Sequence, residues 1–369
     1  MTLRKTAVLV LALVLVLASL LMTGCTNAAT TKVKVGVLYI SPVDDGGWSQ
    51  AHKRGIDAAV AEIGAAKVEL MELQSINDTD TTATNAAIDQ LVSAGCQIIF
   101  ATSFNYMNAV AAKAKQYPNV KFEHCSGYLT DANMDNYFGQ IEQPRYLSGI
   151  VAGMKTASGK IGYVAAFPLP EVIRGINAFT LGVLSVNPSA KVYVRWTNTW
   201  YGPDVEKEAA VALLNEGCDV LSQHQDSPAA LKAAEEKNAF GIGYDNPMGS
   251  AAPKAYLTAP IWNWGAYYAK KIKAVMDKTW KVETYWGGMK EGMVALDALS
   301  ALAPSGAQAK IDAVTVDLKA QGNDYIFKGP LKDQTGAVKV EAGKSMTRDE
   351  QMSMSWFVEG VVGEIPSGS

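Results

Sequence analysis

The sequence predicts an α/β protein of two doubly wound, Rossmann-like lobes, each a parallel sheet covered by helices on both faces. Two internal echoes carry this prediction. The strand KVGVLYISP at residues 34–42 returns as KIGYVAAFP at residues 160–168, and GCQII at residues 95–99 returns as GCDVL at residues 217–221. Similar strings at nearly equal separations indicate two copies of one topology.

Amphipathic helices fill the gaps between these strands. The first follows Trp48, where apolar residues recur at the i, i+3, i+4 and i+7 positions of one helix face: Ile56, Ala59, Val60 and Ile63. Further helices are predicted before Gly95, after Pro170 and from Pro203 to Gly217. Strands that alternate with helices in this way form parallel sheets, which bind ligands outside the carboxyl ends of their strands. Two such lobes facing each other would build a cleft.

The first 24 residues predict a secretory signal peptide, because the basic residues Arg4 and Lys5 precede an uncharged apolar run and a small-residue ending. The run is shorter than the roughly 20 residues that a spanning helix needs. The ending MTGC at residues 22–25 resembles a bacterial lipoprotein box with Met22 in place of the usual leucine. Cys25 would then become the lipid-modified N-terminus, residues 25–31 a linker, and the protein would sit on the extracytoplasmic face of the cell membrane.

Composition and motifs exclude several functional classes. The formal net charge is -3 and no long basic block occurs, so nucleic acid is not an expected partner. Three histidines and four scattered cysteines offer little for a metal centre, and Cys96, Cys125 and Cys218 are expected to be buried free thiols. The serine-nucleophile, zinc-helix and dinucleotide motifs are missing from the sequence. We therefore expect a binding protein with no catalytic residues and no cofactor.

Aromatic and polar residues are paired in the loops that follow the predicted strands. DDGGW at residues 44–48 places Trp48 at a helix start, where its ring should face the cleft and not the lobe core. Such pairs suit a planar ligand with hydrogen-bonding edges, although core packing is the alternative for each aromatic residue by itself. The candidate ligand-binding residues are Ser41, Asp45, Trp48, Phe104, Asn105, Phe167, Trp200, Asp226, Asp245 and Trp262.

Four strings resemble the basic membrane protein family of ABC-transporter substrate-binding lipoproteins, whose best-known members bind purine nucleosides. They are DDGGW at 44–48, QIEQPRYLSG at 140–149, FPLPEVIRG at 167–175 and AFGIGYD at 239–245. By this resemblance Trp48 stands where the family has an aromatic ring that stacks on the base. Asp45 lies in the loop that offers the base a carboxylate, and Asp245 matches an aspartate near the ribose.

The resemblance also implies the fold of type I periplasmic binding proteins, in which three strands cross between the lobes. The crossings are expected near residues 140–141, 260–261 and 293–294. The N-terminal lobe would then comprise residues 32–141 with 263–293, and the C-terminal lobe residues 142–262 with 294–369. Both copies of the repeated strand should be central, parallel and buried.

Two departures from the family pattern concern the ligand. Trp262 stands where nucleoside binders tend to have a lysine that reaches the sugar, and bulkier residues replace a glycine-rich stretch at 223–227. Both departures favour a purine nucleobase over a nucleoside. We expect a monomer that delivers this ligand to an ABC permease and its ATPase. A binder of another solute, such as riboflavin or a sugar, and a ligand-sensing lipoprotein that signals to a membrane partner are the alternatives.

Overall fold

The computed structural model describes residues 32–366. The expected signal peptide, the lipidation site at Cys25 and the linker lie outside the described residues. Within residues 32–366, no helix combines the length and the apolar character needed to cross a membrane.

Six parallel strands form the sheet of the first lobe, with β1 flanked by strands on both sides. They are β1 (Val33–Leu38), β2 (Val68–Leu73), β3 (Ile98–Ala101), β4 (Lys121–Cys125), β5 (Met134–Gly139) and β12 (Thr284–Gly287). Their order across the sheet is β12-β5-β4-β3-β1-β2. The helices of this lobe are α1 (Trp48–Ile63), α2 (Thr81–Ser93), α3 (Met107–Gln116) and α8 (Gly265–Met276). Short 3-10 turns span Ala65–Lys67 and Phe104–Tyr106.

The sheet of the second lobe repeats this plan, with the echo strand again inside the sheet. Its strands are β6 (Lys160–Ala165), β7 (Lys191–Trp196), β8 (Val220–His224), β9 (Phe240–Ile242), β10 (Tyr256–Thr258) and β16 (Val361–Val362). All pair in parallel, in the order β10-β9-β8-β6-β7-β16. Its helices are α4 (Glu142–Lys155), α5 (Pro170–Leu184), α6 (Pro203–Asn215) and α7 (Ala229–Glu236). The two sheets confirm the predicted fold class.

The remaining elements lie toward the C-terminus. They are α9 (Ala307–Gln321), α10 (Asn323–Ile326), the hairpin of β14 (Leu331–Lys332) and β15 (Val338–Val340), and α11 (Arg348–Met352). Helix α9 packs against α4, and β16 extends the second sheet by pairing with β7. The C-terminal segment therefore covers the second lobe and does not form a separate unit.

The glycine of each repeated GC pair ends a helix in the same way in both lobes. Gly95 follows α2 and Gly217 follows α6, and both have left-handed backbones, with φ of 86° and 91°. The next N–H groups, of Cys96 and Cys218, donate back to the carbonyls of Leu91 and Leu213. This is a Schellman-type helix ending, which favours glycine because a side chain is strained at positive φ. The repeated GC pair thus ends a helix and starts a buried strand in each lobe.

The chain crosses between the lobes three times. Two crossings are the antiparallel strands β11 (Pro260–Trp262) and β13 (Val294–Leu296), paired with each other. The third is the short turn at residues 140–141, which leads from β5 directly into α4. The three cysteines among the described residues are buried and free, as the sequence predicted.

Candidate functional site

A small cavity lies between the two lobes, near the carboxyl ends of their central strands. The first lobe contributes Ile40, Trp48, Ser103, Phe104, Ser126 and Phe138, and the second contributes Glu171, Trp200, His224, Asp226 and Tyr244. Four of the sequence-predicted residues are in this wall: Trp48, Phe104, Trp200 and Asp226.

Trp48 belongs to the cavity wall and to the lobe core at once. Its side chain is 8% exposed, its indole N–H donates to the carbonyl of Thr102 at 2.5 Å, and its ring meets Trp262 and Trp264 edge-on, with centroids 5.7 Å apart in each pair. The expectation that this ring would lie outside the lobe core is therefore wrong. The residue holds its place through the core contacts and presents the rest of its surface to the cavity.

Two further aromatic residues, one from each lobe, line the cavity. Phe104 begins the 3-10 turn after β3, and Trp200 follows β7 in the second lobe. The ring of Phe167 packs edge-on against Trp200, with centroids 5.1 Å apart, and lines a separate groove beside the cavity. Asn105 is half-buried beside Asp78 and is not part of the cavity wall.

Asp45 anchors the start of α1 instead of facing the cavity. Its Oδ1 accepts hydrogen bonds from the backbone N–H groups of Gly47 and Gln50, and its Oδ2 accepts from the N–H of Ser49. Ser41 donates its hydroxyl to the same Oδ2 at 2.6 Å. A carboxylate at this place satisfies helix N–H groups that have no partner within the helix. Ser41 and Asp45 thus form a helix-start network, and neither lines the cavity.

Asp245 and Trp262 are paired with each other behind the cavity. The indole N–H of Trp262 donates to Oδ1 of Asp245 at 2.7 Å, and both side chains are fully buried. The Trp262 ring stacks on Trp264 with centroids 4.6 Å apart. Because the tryptophan fills the hinge side of the cleft, it limits the space available there without itself lining the cavity.

Asp226 follows β8 and is one of two carboxyl groups in the cavity wall. Its backbone N–H donates to the carbonyl of Trp200 at 3.0 Å, which ties two loops of the second lobe together. Its side chain is 3% exposed, and Oδ2 has no hydrogen-bond partner among residues 32–366. Burial, and then the neighbouring carboxyls of Asp245 and Asp45, raise the pKa of Asp226 well above its ordinary range.

The second cavity carboxyl, Glu171, joins the lobes directly. Glu171 is in the first turn of α5, and it accepts a hydrogen bond from the hydroxyl of Ser126, which follows β4 in the first lobe. Burial is the largest cause that raises the pKa of Glu171. The sequence indicated the loop that contains Glu171 but not this residue, and nothing in the sequence pattern indicated Ser126.

His224 and Tyr244 complete the wall in the second lobe, and sequence reasoning also missed them. Their rings lie 4.7 Å apart. Burial, together with Arg145 and Arg174, holds the pKa of His224 well below its ordinary value, so the imidazole is neutral at pH 7. Behind Tyr244, the guanidinium of Arg145 lies 3.9 Å from the ring centroid and donates to the carbonyl of Gln223. Their loops were indicated by the sequence, whereas the residues that face inward depend on packing between loops.

The wall as a whole is aromatic, with acidic and neutral polar groups and no lysine or arginine among the described lining residues. Such a wall can stack on a flat ring and hydrogen-bond to its edge, and it offers no cation to hold a phosphate or carboxylate. No group of three or more histidine, cysteine or acidic side chains within residues 32–366 is arranged to hold a metal ion. Two lobes closed around a cavity of this kind define a solute-binding protein.

The family comparison agrees with that class. Residues 32–320 match the Bmp family, described as ABC transporter substrate-binding protein PnrA-like. The chain belongs to this family, which confirms the resemblance found in the sequence. Because the family consists of substrate-binding proteins, the prediction that the chain is not an enzyme is also confirmed.

Two similar proteins cover nearly the whole chain. A putative ABC transporter glucose-binding protein of Haloferax volcanii is 39% identical over 336 residues, which are 91% of this chain and 82% of that protein. A purine-binding protein of Brucella abortus is 36% identical over 345 residues, which are 94% of this chain and 97% of that protein. Both belong to the same class, and their names differ in the ligand.

Solved structures share the fold at low sequence identity. A solute-binding protein from Conexibacter woesei has a TM-score of 0.61 and 21% identity, covering 78% of this chain and 96% of its own. One from Aeropyrum pernix has a TM-score of 0.65 and 19% identity, covering 78% and 86%. These likenesses support the two-lobed fold of type I periplasmic binding proteins and carry no information about the ligand.

Proposed function

We propose that this protein captures a purine in the cavity between its lobes, and a nucleobase in preference to a nucleoside. The single observation that carries the proposal is the composition of the cavity wall. Trp48, Phe104 and Trp200 offer aromatic surface from both lobes, while Asp226 and Glu171 offer carboxyl groups. A purine base is a flat ring whose edge carries N–H donors and nitrogen or oxygen acceptors, so each kind of group in the wall has a counterpart on it.

The residues around the cavity support a base without its sugar. Trp262 and His224 take up space on the hinge side of the cavity and in the second lobe. No lysine among the described lining residues reaches inward to hold a ribose hydroxyl. The similar protein of Brucella abortus, which is named as a purine-binding protein, also supports a purine as the ligand.

Glucose is the second candidate, because the Haloferax relative is named as a putative glucose-binding protein. Sugars also stack on aromatic rings, but a sugar presents hydroxyl groups around its whole rim and needs many polar partners. Six of the eleven lining residues here are aromatic or aliphatic: Ile40, Trp48, Phe104, Phe138, Trp200 and Tyr244. That balance favours a purine over a sugar.

Delivery to a membrane importer completes the proposal. The protein would be secreted, cleaved before Cys25 and held by its lipid on the extracytoplasmic face of the cell membrane, where it serves the permease and ATPase of an ABC importer as a monomer. The supporting observation is the lipobox-like ending of the signal sequence. Fractionation of cells that express the full chain or its Cys25→Ala variant tests the anchor, since the variant should leave the membrane fraction.

Calorimetric titration of the purified protein tests the ligand. Adenine, hypoxanthine, adenosine, glucose and riboflavin are compared on one preparation freed of ligand by unfolding and refolding. A nucleobase is expected to bind with a Kd of about 1 μM or lower, which is about −8 kcal/mol. Adenosine should bind at least tenfold more weakly. Tightest binding of glucose would show a sugar receptor, and tightest binding of adenosine would contradict the preference for a base.

A further inference from the structure

The two carboxyl groups of the cavity wall, Asp226 and Glu171, differ in their hydrogen bonds. Glu171 already accepts a hydrogen bond from Ser126, whereas Oδ2 of Asp226 has no partner among the described residues. The Asp226 side chain is nearly inaccessible to solvent and lines the cavity. An unpaired polar atom in such a place costs free energy unless a ligand satisfies it. Nδ1 of His224 and Nε1 of Trp200 also lack a partner among the described residues, and Asp226 is the carboxyl of these three lining groups.

The charged groups that act most strongly on Asp226 are all acidic. They come from four separate segments: Asp245 after β9, Asp45 before α1, Glu206 on α6 and Asp78 in the loop before α2. Like charges gathered around a buried carboxyl disfavour its ionised form, and burial acts in the same direction. Burial also raises the pKa of all four neighbours: to about 7 for Glu206, well above the usual range for Asp245, and above the ordinary value for Asp45 and Asp78.

The two arginines that act on the neighbouring Asp245 are Arg145 and Arg54, and neither donates to Oδ2 of Asp226, although Nε and Nη2 of Arg145 have no partner among the described residues. Arg145 is directed at the ring of Tyr244 and the carbonyl of Gln223, and Arg54 donates to Asn246 and to the carbonyl of Trp262. The neighbouring imidazole of His224 is neutral, because burial and two arginines depress its pKa. No cation is among the charged groups that act most strongly on Asp226, and none among the described residues donates a hydrogen bond to its Oδ2.

We infer that Asp226 carries a proton when the cleft is closed, and that it meets the ligand as a carboxylic acid with one O–H donor beside one carbonyl acceptor. This inference rests on the proposed function and specifies the ligand edge. A protonated carboxyl pairs with an edge that has one acceptor beside one donor, such as N1 and the amino group of adenine. Asparagine reads adenine in the same donor–acceptor way in nucleic-acid complexes. A carboxylate would instead require two adjacent donors, as on N1 and N2 of guanine.

The proton makes binding depend on pH in a definite direction. In the open, hydrated cleft the carboxyl has a lower pKa, and in the closed complex its pKa is raised. Ligand binding then takes up a proton whenever the pH lies between the two pKa values. In that window the Kd rises by up to tenfold per pH unit, because each ligand bound requires one proton to be bound as well. Affinity is highest on the acid side of the window and is lost as the pH rises through it.

The test compares wild type with Asp226→Asn and Asp226→Ala, using adenine as the probe from about pH 6 to about pH 8.5. Asparagine has the same size and always presents one donor and one acceptor, so its variant should bind adenine with little change in Kd over this range. Wild type should weaken at least tenfold from the acid to the alkaline limit, and the alanine variant should bind weakly throughout. Asp312→Asn, an exposed substitution on α9, is the matched control and should follow wild type.

A second readout needs no variant. Titration of wild type in two buffers with different heats of ionisation counts the protons taken up with each adenine, and uptake of up to one proton above that of Asp226→Asn supports the inference. Proton release on binding would overturn the inference and show that Asp226 binds as a carboxylate. Loss of binding in Asp226→Asn, together with tighter binding of wild type at high pH, would show the same. Equal binding by all three proteins would show that Asp226 does not touch the ligand. If wild type binds no purine at all, the proposed function fails first and this inference fails with it.

Discussion

Trp48 serves the fold and the cavity with different parts of one ring. The indole N–H donates to the carbonyl of Thr102, and the ring lies roughly perpendicular to those of Trp262, Trp264 and His52, so these contacts hold the side chain in place. A ring held in this way loses little conformational entropy when a ligand stacks on it. The core contacts thereby prepare the binding surface.

Replacing Trp48 should therefore change stability and affinity together. A base stacked on an aromatic ring contributes about 1–3 kcal/mol, so Trp48→Ala is expected to weaken purine binding roughly 5- to 150-fold. The same change removes a buried tryptophan and should lower the unfolding free energy by about 3–5 kcal/mol. Trp48→Phe keeps an aromatic face, so it should keep most of the affinity while losing the hydrogen bond to Thr102. Calorimetric titration and urea unfolding measure the two quantities.

Trp264 provides the control for this pair of effects. It is fully buried, packs against Trp48 and does not line the cavity. Trp264→Phe should lose stability with little change in purine affinity. The contact would be contradicted by two results together. In the first, Trp48→Phe and Trp264→Phe lose the same stability and both bind purine as wild type does. In the second, Trp48→Ala binds purine normally without denaturant.

The candidate site could be predicted loop by loop but not side chain by side chain. The loop after β1 was expected beside the cleft, and within it Asp45 bonds to the helix N–H groups while Trp48 lines the cavity. Tyr244 lines the cavity, whereas the adjacent Asp245 is buried behind it, where its carboxyl accepts a hydrogen bond from Trp262 of the hinge. The order of strands and helices in the sequence predicts which loops lie together at the cleft. Which side chains of those loops face the cavity depends on contacts between distant segments.

At the level of elements, the start of α1 depends on a carboxylate that precedes it. Asp45 satisfies three backbone N–H groups at the beginning of this helix, and Trp48 is the first residue of the same helix. Since the position of Trp48 follows from where α1 begins, the Asp45 network sets one wall of the cavity indirectly.

Asp45→Ala should thus destabilise the protein more than it weakens binding directly. Loss of a helix-capping side chain costs up to about 2 kcal/mol, and urea unfolding should show a loss near that upper value because the network is buried. The adjacent Asp44 is exposed, so Asp44→Ala is a matched control expected to stay within about 0.5 kcal/mol of wild type. An Asp45→Ala protein as stable as wild type that no longer binds purine would identify Asp45 as a ligand contact instead.

The order of elements was the most predictable feature of the chain, for a local reason. Each echo joins a helix end to a buried strand, and the signals for these, a glycine at positive φ and a short apolar run, lie within a few residues of sequence. The crossing at residues 140–141 did not follow the family expectation of a strand, because α4 begins immediately after it at Glu142. The conformation of this crossing depends on where α4 packs, and no local sequence pattern predicts that packing.

In the whole molecule, the lobes are held together by polar contacts outside the cavity. Asn246 in the second lobe donates to the carbonyl of Gly47 and accepts from Arg54 on α1, and we call these three residues the interlobe latch. Gly47 also packs directly on the carbonyl of Asp226, where a Cβ atom would collide with it. The closed arrangement thus depends on the latch and on a backbone approach that only glycine permits, in addition to any ligand.

Removing the latch should shift the protein toward an open form without touching the cavity. Asn246→Ala loses two hydrogen bonds between the lobes, one of them to a charged group, worth about 2 kcal/mol together. Because the observed affinity falls with the fraction of protein that can close, purine binding should weaken by up to about 30-fold. Small-angle scattering should show a larger radius of gyration without ligand and the wild-type value at saturation. Asn215→Ala, at an exposed helix end, is the control. Unchanged scattering and affinity in Asn246→Ala would mean that the cavity contacts alone hold the lobes closed.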